Sequence, residues 1–103
     1  MTQAAQTKPV PKWMAITDEG VTVTLKYPLE VDGVKTDKLF MRPPCLRDMR
    51  AASASANGDP EDREMAMFCS LTSVGERDFS AIKMLDYDRV QAGYFRTVKD
   101  DGL

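Results

Sequence analysis

The chain has 103 residues, of which 43% are hydrophobic and 29% charged, a balance that predicts one small globular domain with a single core. Its formal net charge of -2 argues against a phosphate-binding or anionic-membrane surface, so neither nucleic acid nor membrane is an expected partner. No apolar run approaches the ~20 residues of a membrane span. The first twelve residues lack the apolar segment of a secretory signal, which predicts an intracellular protein.

The residue types needed for common catalytic and metal sites are scarce. There is no histidine, and Cys45 and Cys69 are too far apart for a CxxC pair, so we predict neither a metal nor a cofactor. We expect both cysteines to be free thiols packed as small hydrophobic residues, with a disulfide as the alternative. A hairpin followed by helices leaves little room for an active-site cleft, which favours a binding protein over an enzyme.

The chain divides into an arm, a domain and a tail. Residues 1–12 are predicted to form a mobile arm because they are poorly hydrophobic and contain Pro9 and Pro11. A single domain is expected over residues 13–98, followed by a frayed tail over 99–103. Trp13, at the junction, either packs on the domain or anchors a partner.

A β-hairpin is predicted over about residues 20–42. Its first strand alternates polar residues with an apolar set that would share one face of a sheet: Val21, Val23, Leu25 and Tyr27. Asp32-Gly33 suits a two-residue type I′ loop, in which both residues have positive φ. The second strand ends at Pro43-Pro44, which removes two hydrogen-bond donors.

The strand register requires an irregularity. A strict two-residue loop would pair Leu25 with Phe40 and turn Leu39 and Met41 away from the first strand's apolar face. We therefore expect a bulge near Pro28, or a longer loop. The alternative is that Phe40 is buried and Leu39 is not.

Helices are predicted over about residues 45–56, 59–72, 76–84 and 86–98. The first is expected to face the core with a narrow stripe formed by Leu46, Met49, Arg50 and Ser53, in which Arg50 is the odd member and snorkels at the edge. The second begins at Asp59-Pro60, an N-cap followed by proline at the first helical position, and is the best candidate for the central core helix. Asp86 is expected to cap the last helix. The fold class is therefore α+β, with an N-terminal β-hairpin followed by three to four α-helices in a small single domain.

Several short segments together carry a family resemblance. They are Tyr27-Pro28-Leu29-Glu30-Val31-Asp32-Gly33-Val34, Leu39-Phe40-Met41-Arg42-Pro43-Pro44, Leu46-Arg47-Asp48-Met49-Arg50-Ala51-Ala52, Asp62-Arg63-Glu64, Leu71-Thr72 and Leu85-Asp86-Tyr87-Asp88-Arg89-Val90-Gln91. In this order and spacing, from about Thr22 to Val98, the chain resembles the tail assembly chaperone family of Mu-like and P2-like contractile-tailed phages. Residues 73–78 depart from the family's Gly-Leu-Ser/Thr-Pro-Glu-Asp helix start, so the third helix is expected to be looser or to begin later.

The resemblance implies a phage or prophage protein that holds the tape-measure protein, a very long helical chain, soluble until tube subunits polymerise around it. It implies action in the host cytoplasm, absence from the mature virion, and no catalytic residue to carry over. The resemblance leaves further partners open: tail tube subunits, a frameshifted longer form of the chain, and a second copy of the chain in a homo-oligomer. A small tail or baseplate adaptor is the alternative function, and a helix-turn-helix regulator is a more distant one.

Covering a helical client reversibly calls for adaptable apolar side chains, and methionine is unbranched and polarizable. Met67 lies off the apolar stripe of the second helix and is expected to face a partner or another subunit. The aromatic stripe of the last helix is a second candidate surface. The candidate partner-binding residues are Met65, Met67, Phe68, Tyr87, Tyr94 and Phe95. Packing in the domain's own core is the alternative for both sets.

Overall fold

The computed structural model describes residues 10–99, which form a three-stranded antiparallel sheet followed by four helices. The strands β1 (Met14–Thr17), β2 (Gly20–Val31) and β3 (Val34–Met41) lie in the order β1-β2-β3. The helices are α1 (Leu46–Ala56), α2 (Pro60–Thr72), α3 (Glu76–Phe79) and α4 (Met84–Val98). The predicted α+β class is confirmed.

Two differences from the predicted elements concern short segments. Strand β1 was not predicted, because only Met14 of its four residues is buried and the alternation that marks a half-buried strand is absent. Helix α3 ends at Phe79 instead of near Met84, and Met84 instead begins α4. Residues 1–9 of the predicted arm and 100–103 of the predicted tail lie outside the described residues.

The β2–β3 connection is the predicted two-residue turn. Asp32 and Gly33 have φ of 52° and 82°, and Val31 pairs directly with Val34 across the turn. A type I′ loop needs positive φ at both central residues, which Asp and Gly tolerate better than most residues. The backbone N–H of Asp32 also donates to Asp78 Oδ2 at 3.0 Å, which ties the turn to α3.

The predicted bulge is also present. Next to the turn Leu29 pairs with Thr36, whereas further along Thr24 pairs with Lys38, so the register shifts between Thr24 and Leu29. The shift places Leu39 and Met41 in the core and leaves Phe40 46% exposed. The alternative register, with Phe40 buried, is therefore wrong.

Asp86 holds this bulge in place. Its buried carboxylate accepts hydrogen bonds from the backbone N–H groups of Lys26 (2.7 Å, Oδ1) and Tyr27 (2.9 Å, Oδ2), which are released from the ladder by the bulge. The prediction that Asp86 caps the last helix is wrong, because α4 begins two residues earlier with Lys83 at its N-cap. The segments that begin at Tyr27 and at Leu85, which both carry the family resemblance, are therefore in contact although they are far apart in the sequence.

A second contact joins the same elements. Arg89 of α4 donates from Nη1 to the carbonyl oxygen of Thr24 at 2.9 Å, and its guanidinium lies 5.1 Å from the centre of the Trp13 ring. Trp13 is half-buried and packs against the core, and its carbonyl accepts from the backbone N–H of Thr24 at 2.8 Å. Trp13 therefore packs on the domain, which was one of the two alternatives expected from the sequence.

The core lies between the sheet and the helices. Val21 and Val23 of β2 are buried beneath α4, where Gly93 comes so close that an added Cβ would lie 3.0 Å from Val23 Cγ2. Helix α2 contributes Met67, Phe68 and Leu71 to the same core. The best-buried helix faces therefore belong to α2 and α4.

Helix α1 packs through alanines. Its buried residues are Ala52 and Ala56, whereas Leu46 is 64% and Met49 44% exposed, so the predicted buried stripe is wrong. Helix α1 contacts mainly α2, and small side chains allow two helices to approach closely. The helix presents its small residues to its neighbour and its longer apolar residues to the solvent.

The β3–α1 junction is held by Arg42 and Asp48. The guanidinium donates to both carboxylate oxygens of Asp48, at 2.8 and 2.9 Å, and the backbone N–H of Cys45 donates to Oδ2 at 2.9 Å. These bonds, led by that from Arg42, hold the pKa of Asp48 well below its ordinary value. The carboxylate therefore remains charged across the physiological range and fixes the start of α1.

Candidate partner-binding groove

A groove of about 450 Å³ opens between the first turns of α2, α3 and the start of α4. Its apolar wall consists of Phe79, which is fully buried, the half-buried Met65, Ile82 and Tyr87, and the exposed Met84. Carboxylates from α2 and α3 stand around this apolar wall: Glu61, Asp62, Glu64 and Glu76. We call this site the acidic groove.

The α2 side of the acidic groove is set by the start of that helix. Asp59 is the N-cap, and its Oδ1 accepts from the backbone N–H groups of Glu61 (2.9 Å) and Asp62 (3.4 Å), with Pro60 at the first helical position. This confirms the predicted helix start. Carboxylates in the first turn interact favourably with the positive end of the helix dipole. Glu61 and Asp62 therefore stabilise the start of α2.

A hydrogen-bonded set joins α2 to α4 in the wall of the groove. The Tyr87 hydroxyl donates to Glu64 Oε1, and Gln91 Nε2 donates to Oε1 and Oε2 of Glu64 at 3.1 and 3.3 Å. Burial, followed by the bond to Glu64, raises the pKa of Tyr87 well above its ordinary value. The phenol therefore stays protonated, and Glu64 is bound by neutral donors.

An aromatic cluster supports the wall from the core side. The Phe68 ring centre lies 6.3 Å from that of Phe79, 5.7 Å from Tyr87 and 5.4 Å from Tyr94. Tilted ring pairs at such distances are favourable beyond the area that they bury. The groove therefore has a well-packed base.

The structure does not bring the six predicted partner-binding residues together. Met65 and Tyr87 line the acidic groove. Met67 and Phe68 are only 5% and 0% exposed, so the expectation that Met67 faces outward is wrong. Helix α2 packs against α1 as well as β3 and α3, and more than one of its faces is therefore covered.

The other two predicted residues lie on α4. Tyr94 is half-buried against Phe68, whereas Phe95 is 51% exposed and its ring centre lies 5.8 Å from that of Tyr94. Neither residue lines the acidic groove. Two of the six predicted residues therefore line the acidic groove, and the other four lie outside it.

Other groove residues were missed. The sequence predicts Ile82 and Met84 within a longer third helix, and it assigns the acidic residues of α2 no part in partner binding. The available indication was the combination of a carboxylate-rich helix start with Met65 in the next turn. The fourth carboxylate of the groove, Glu76, begins α3 and approaches the three from α2 only through folding.

Within residues 10–99, no group of three or more His, Cys, Asp or Glu residues is placed to hold a metal ion. No helix in that part of the chain is long and apolar enough to cross a membrane.

Both cysteines are free, but Cys45 is exposed, so the prediction that it packs as a small hydrophobic residue is wrong. Burial, with a smaller effect of Glu76, raises the pKa of the half-buried Cys69 thiol.

Together the sheet, the helices and the acidic groove define a small α+β protein with an apolar surface cleft surrounded by carboxylates. Residues 22–99 match the family described as "Phage tail assembly chaperone proteins, E, or 41 or 14". The chain belongs to this family, and its general role is therefore in phage tail assembly. That role favours a non-enzymatic protein that works with other tail assembly proteins. Neither the curated proteins nor the solved structures gave a match.

Proposed function

We propose that this protein binds the tape-measure protein of its phage or prophage and keeps it soluble while the tail tube assembles. The observation that carries the proposal is the family match over residues 22–99. The partner-binding surface that we assign includes Met65 and Tyr87 from the acidic groove and Phe95 outside it.

The distribution of apolar side chains supports this role. Met84, which lines the acidic groove, is 71% exposed, and Phe95, which lies outside it, is 51% exposed. A long helical client exposes apolar faces until the tube surrounds it, and accessible apolar surface on a small carrier can cover those faces transiently. Such a role needs reversible contact and no bond-making chemistry.

The proposed place of action is the host cytoplasm, before the tape-measure protein is enclosed. Membership of an assembly chaperone family supports a protein that leaves before the virion is complete. Tube subunits, a longer frameshifted form and a second copy of the chain remain predicted partners.

Co-expression with the tape-measure protein of the same phage tests the proposal. We expect the tape-measure protein to stay in the supernatant after centrifugation and to co-purify with this chain, and to sediment when expressed alone. A tape-measure protein that is equally soluble alone, or that sediments in both cases, would contradict the proposal.

Mass spectrometry of purified particles separates a chaperone from the alternative, a tail or baseplate adaptor. We expect the chain in lysates that are assembling tails and not in finished particles. Its presence in mature virions at a fixed ratio to a structural protein would favour the adaptor.

A further inference from the structure

We propose that the acidic groove binds an amphipathic helix whose apolar stripe is flanked by lysine or arginine. The inference rests on the proposed function, because we take this helix to be a segment of the tape-measure protein. It adds a location on this chain and a chemical description of the client.

The shape of the groove favours a helix. Its apolar wall comes from α2, α3, the α3–α4 connection and the start of α4, and includes Met65, Ile82 and Met84. Helix-in-groove recognition places client residues spaced at i, i+3, i+4 and i+7 into such a cleft. An added strand would instead need the free backbone groups of a sheet edge, and no residue of the sheet is among those that line this groove.

The charge of the groove favours a basic partner. Among the lining residues that the structure describes, four carry carboxylates and none is lysine or arginine. Within residues 10–99 none of these four carboxylates forms an ion pair, and Glu64 is bound only by the neutral Tyr87 and Gln91. A helix with cations beside its apolar stripe would supply the missing partners, whereas an acidic helix would be repelled.

Two synthetic peptides test this preference against the full chain. Both are amphipathic helices of about five turns with the same apolar stripe, one flanked by lysine and one by glutamate. Measured by fluorescence anisotropy at low salt, the lysine peptide should bind at least about tenfold more tightly. Equal binding of the two peptides, or preference for the glutamate peptide, would overturn the inference.

Charge reversal within the groove locates the effect. The double variant Glu61→Lys and Glu76→Lys should weaken binding of the lysine peptide about tenfold or more and improve binding of the glutamate peptide. The matched control is Glu19→Lys with Glu30→Lys, which makes the same change in net charge at exposed positions outside the groove. If the control weakens binding as much, net charge and not the groove determines binding, and the inference is wrong.

A neutral substitution tests the apolar contact. Met84 begins α4 in the groove and Leu46 begins α1 outside it, and they are 71% and 64% exposed. Met84→Ser should therefore weaken binding of the lysine peptide several-fold, while Leu46→Ser should leave it unchanged. Circular dichroism checks that both variants remain folded. An equal effect of the two substitutions would contradict docking in the groove.

The same variants separate this inference from the proposed function. If the tape-measure protein co-purifies equally with the wild-type chain and with Glu61→Lys/Glu76→Lys, the groove inference fails and the chaperone proposal stands. If the lysine peptide binds in the groove but the tape-measure protein does not bind the wild-type chain, the proposed client is wrong. Loss of both interactions in the groove variant supports both.

Discussion

At the scale of single residues, Asp86 shows how one carboxylate stabilises an irregular strand. The bulge of β2 turns the backbone N–H groups of Lys26 and Tyr27 away from the ladder, and both donate to Asp86. Among the described residues, Asp86 is the buried charged side chain of the core. A hydrogen bond to a charged group contributes about 1.5–3 kcal/mol, so pairing two backbone N–H groups with one carboxylate stabilises the bulge substantially.

We predict that Asp86→Ala lowers the free energy of unfolding by about 2–4 kcal/mol, because two hydrogen bonds from backbone N–H groups to a charged acceptor are lost. Urea denaturation at neutral pH measures this change. Asp88→Ala, two residues away at an exposed position, is the control and should change stability by less than about 0.5 kcal/mol. Similar losses in the two variants would contradict the role assigned to Asp86.

At the scale of elements, α2 and α4 are joined by Glu64, Tyr87 and Gln91 over the Phe68 aromatic cluster. The Tyr87 ring packs in the cluster while its hydroxyl reaches the carboxylate of the neighbouring helix. Because the folded protein disfavours the phenolate, the pKa of Tyr87 is raised above its ordinary value. The link between the two helices is therefore expected to weaken in alkali.

The sign of the pH effect follows from this shift. In the unfolded chain a tyrosine ionises near pH 10, whereas in the folded protein Tyr87 ionises at higher pH. The stabilisation is complete below about pH 10 and is lost as the pH rises from that value toward the pKa of folded Tyr87. Tyr87→Phe should cost about 1–2 kcal/mol at neutral pH and show a shallower loss of stability above pH 10.

Urea denaturation between neutral pH and alkali compares Tyr87→Phe with the wild-type chain. Tyr27→Phe, at an exposed position of β2, is the matched control for removing a phenol hydroxyl and should leave neutral-pH stability nearly unchanged. Parallel alkaline profiles for wild type and Tyr87→Phe would show that Tyr87 does not contribute the predicted pH dependence.

At the scale of the whole molecule, the structure has a dense centre and a peripheral helix. Helix α4 packs on β2, and α2 contacts β3 and α3, whereas α1 is attached mainly to α2 through Ala52 and Ala56. Burial of apolar surface stabilises a fold by about 25 cal/mol for each Å², and an alanine side chain buries little such surface. Helix α1 is therefore expected to separate from the domain more easily than the other long helices.

Hydrogen exchange measured by mass spectrometry tests this ordering. We predict that amides of α1 exchange faster than those of α2 and α4, and that β2 is among the most protected segments, because local opening costs least where few apolar contacts are broken. Peptides from α2 provide the internal comparison, since that helix has a similar length. Equal protection of α1 and α2 would mean that the two helices open as one unit.

The acidic groove was only partly predictable, for a geometric reason. The sequence predicts Met65 and Tyr87 as partner-binding residues because methionine and a helical aromatic stripe are visible in it. Ile82, Met84 and Glu76 belong to other segments, and their proximity depends on where α3 ends and how α4 packs. Met67 was misjudged because periodicity describes one face of a helix, whereas α2 is covered by several neighbours.

The sequence by itself determined the features that depend on neighbouring residues. Alternation placed Val21 and Val23 on one strand face, Asp32-Gly33 specified the turn, and Asp59-Pro60 started α2. Only the tertiary structure decided the partners of Asp86, the exposed face of α1 and the meeting of carboxylates around the groove. Backbone conformation is set largely by local sterics and hydrogen bonding, whereas burial and charge clustering depend on residues distant in sequence that only folding brings together.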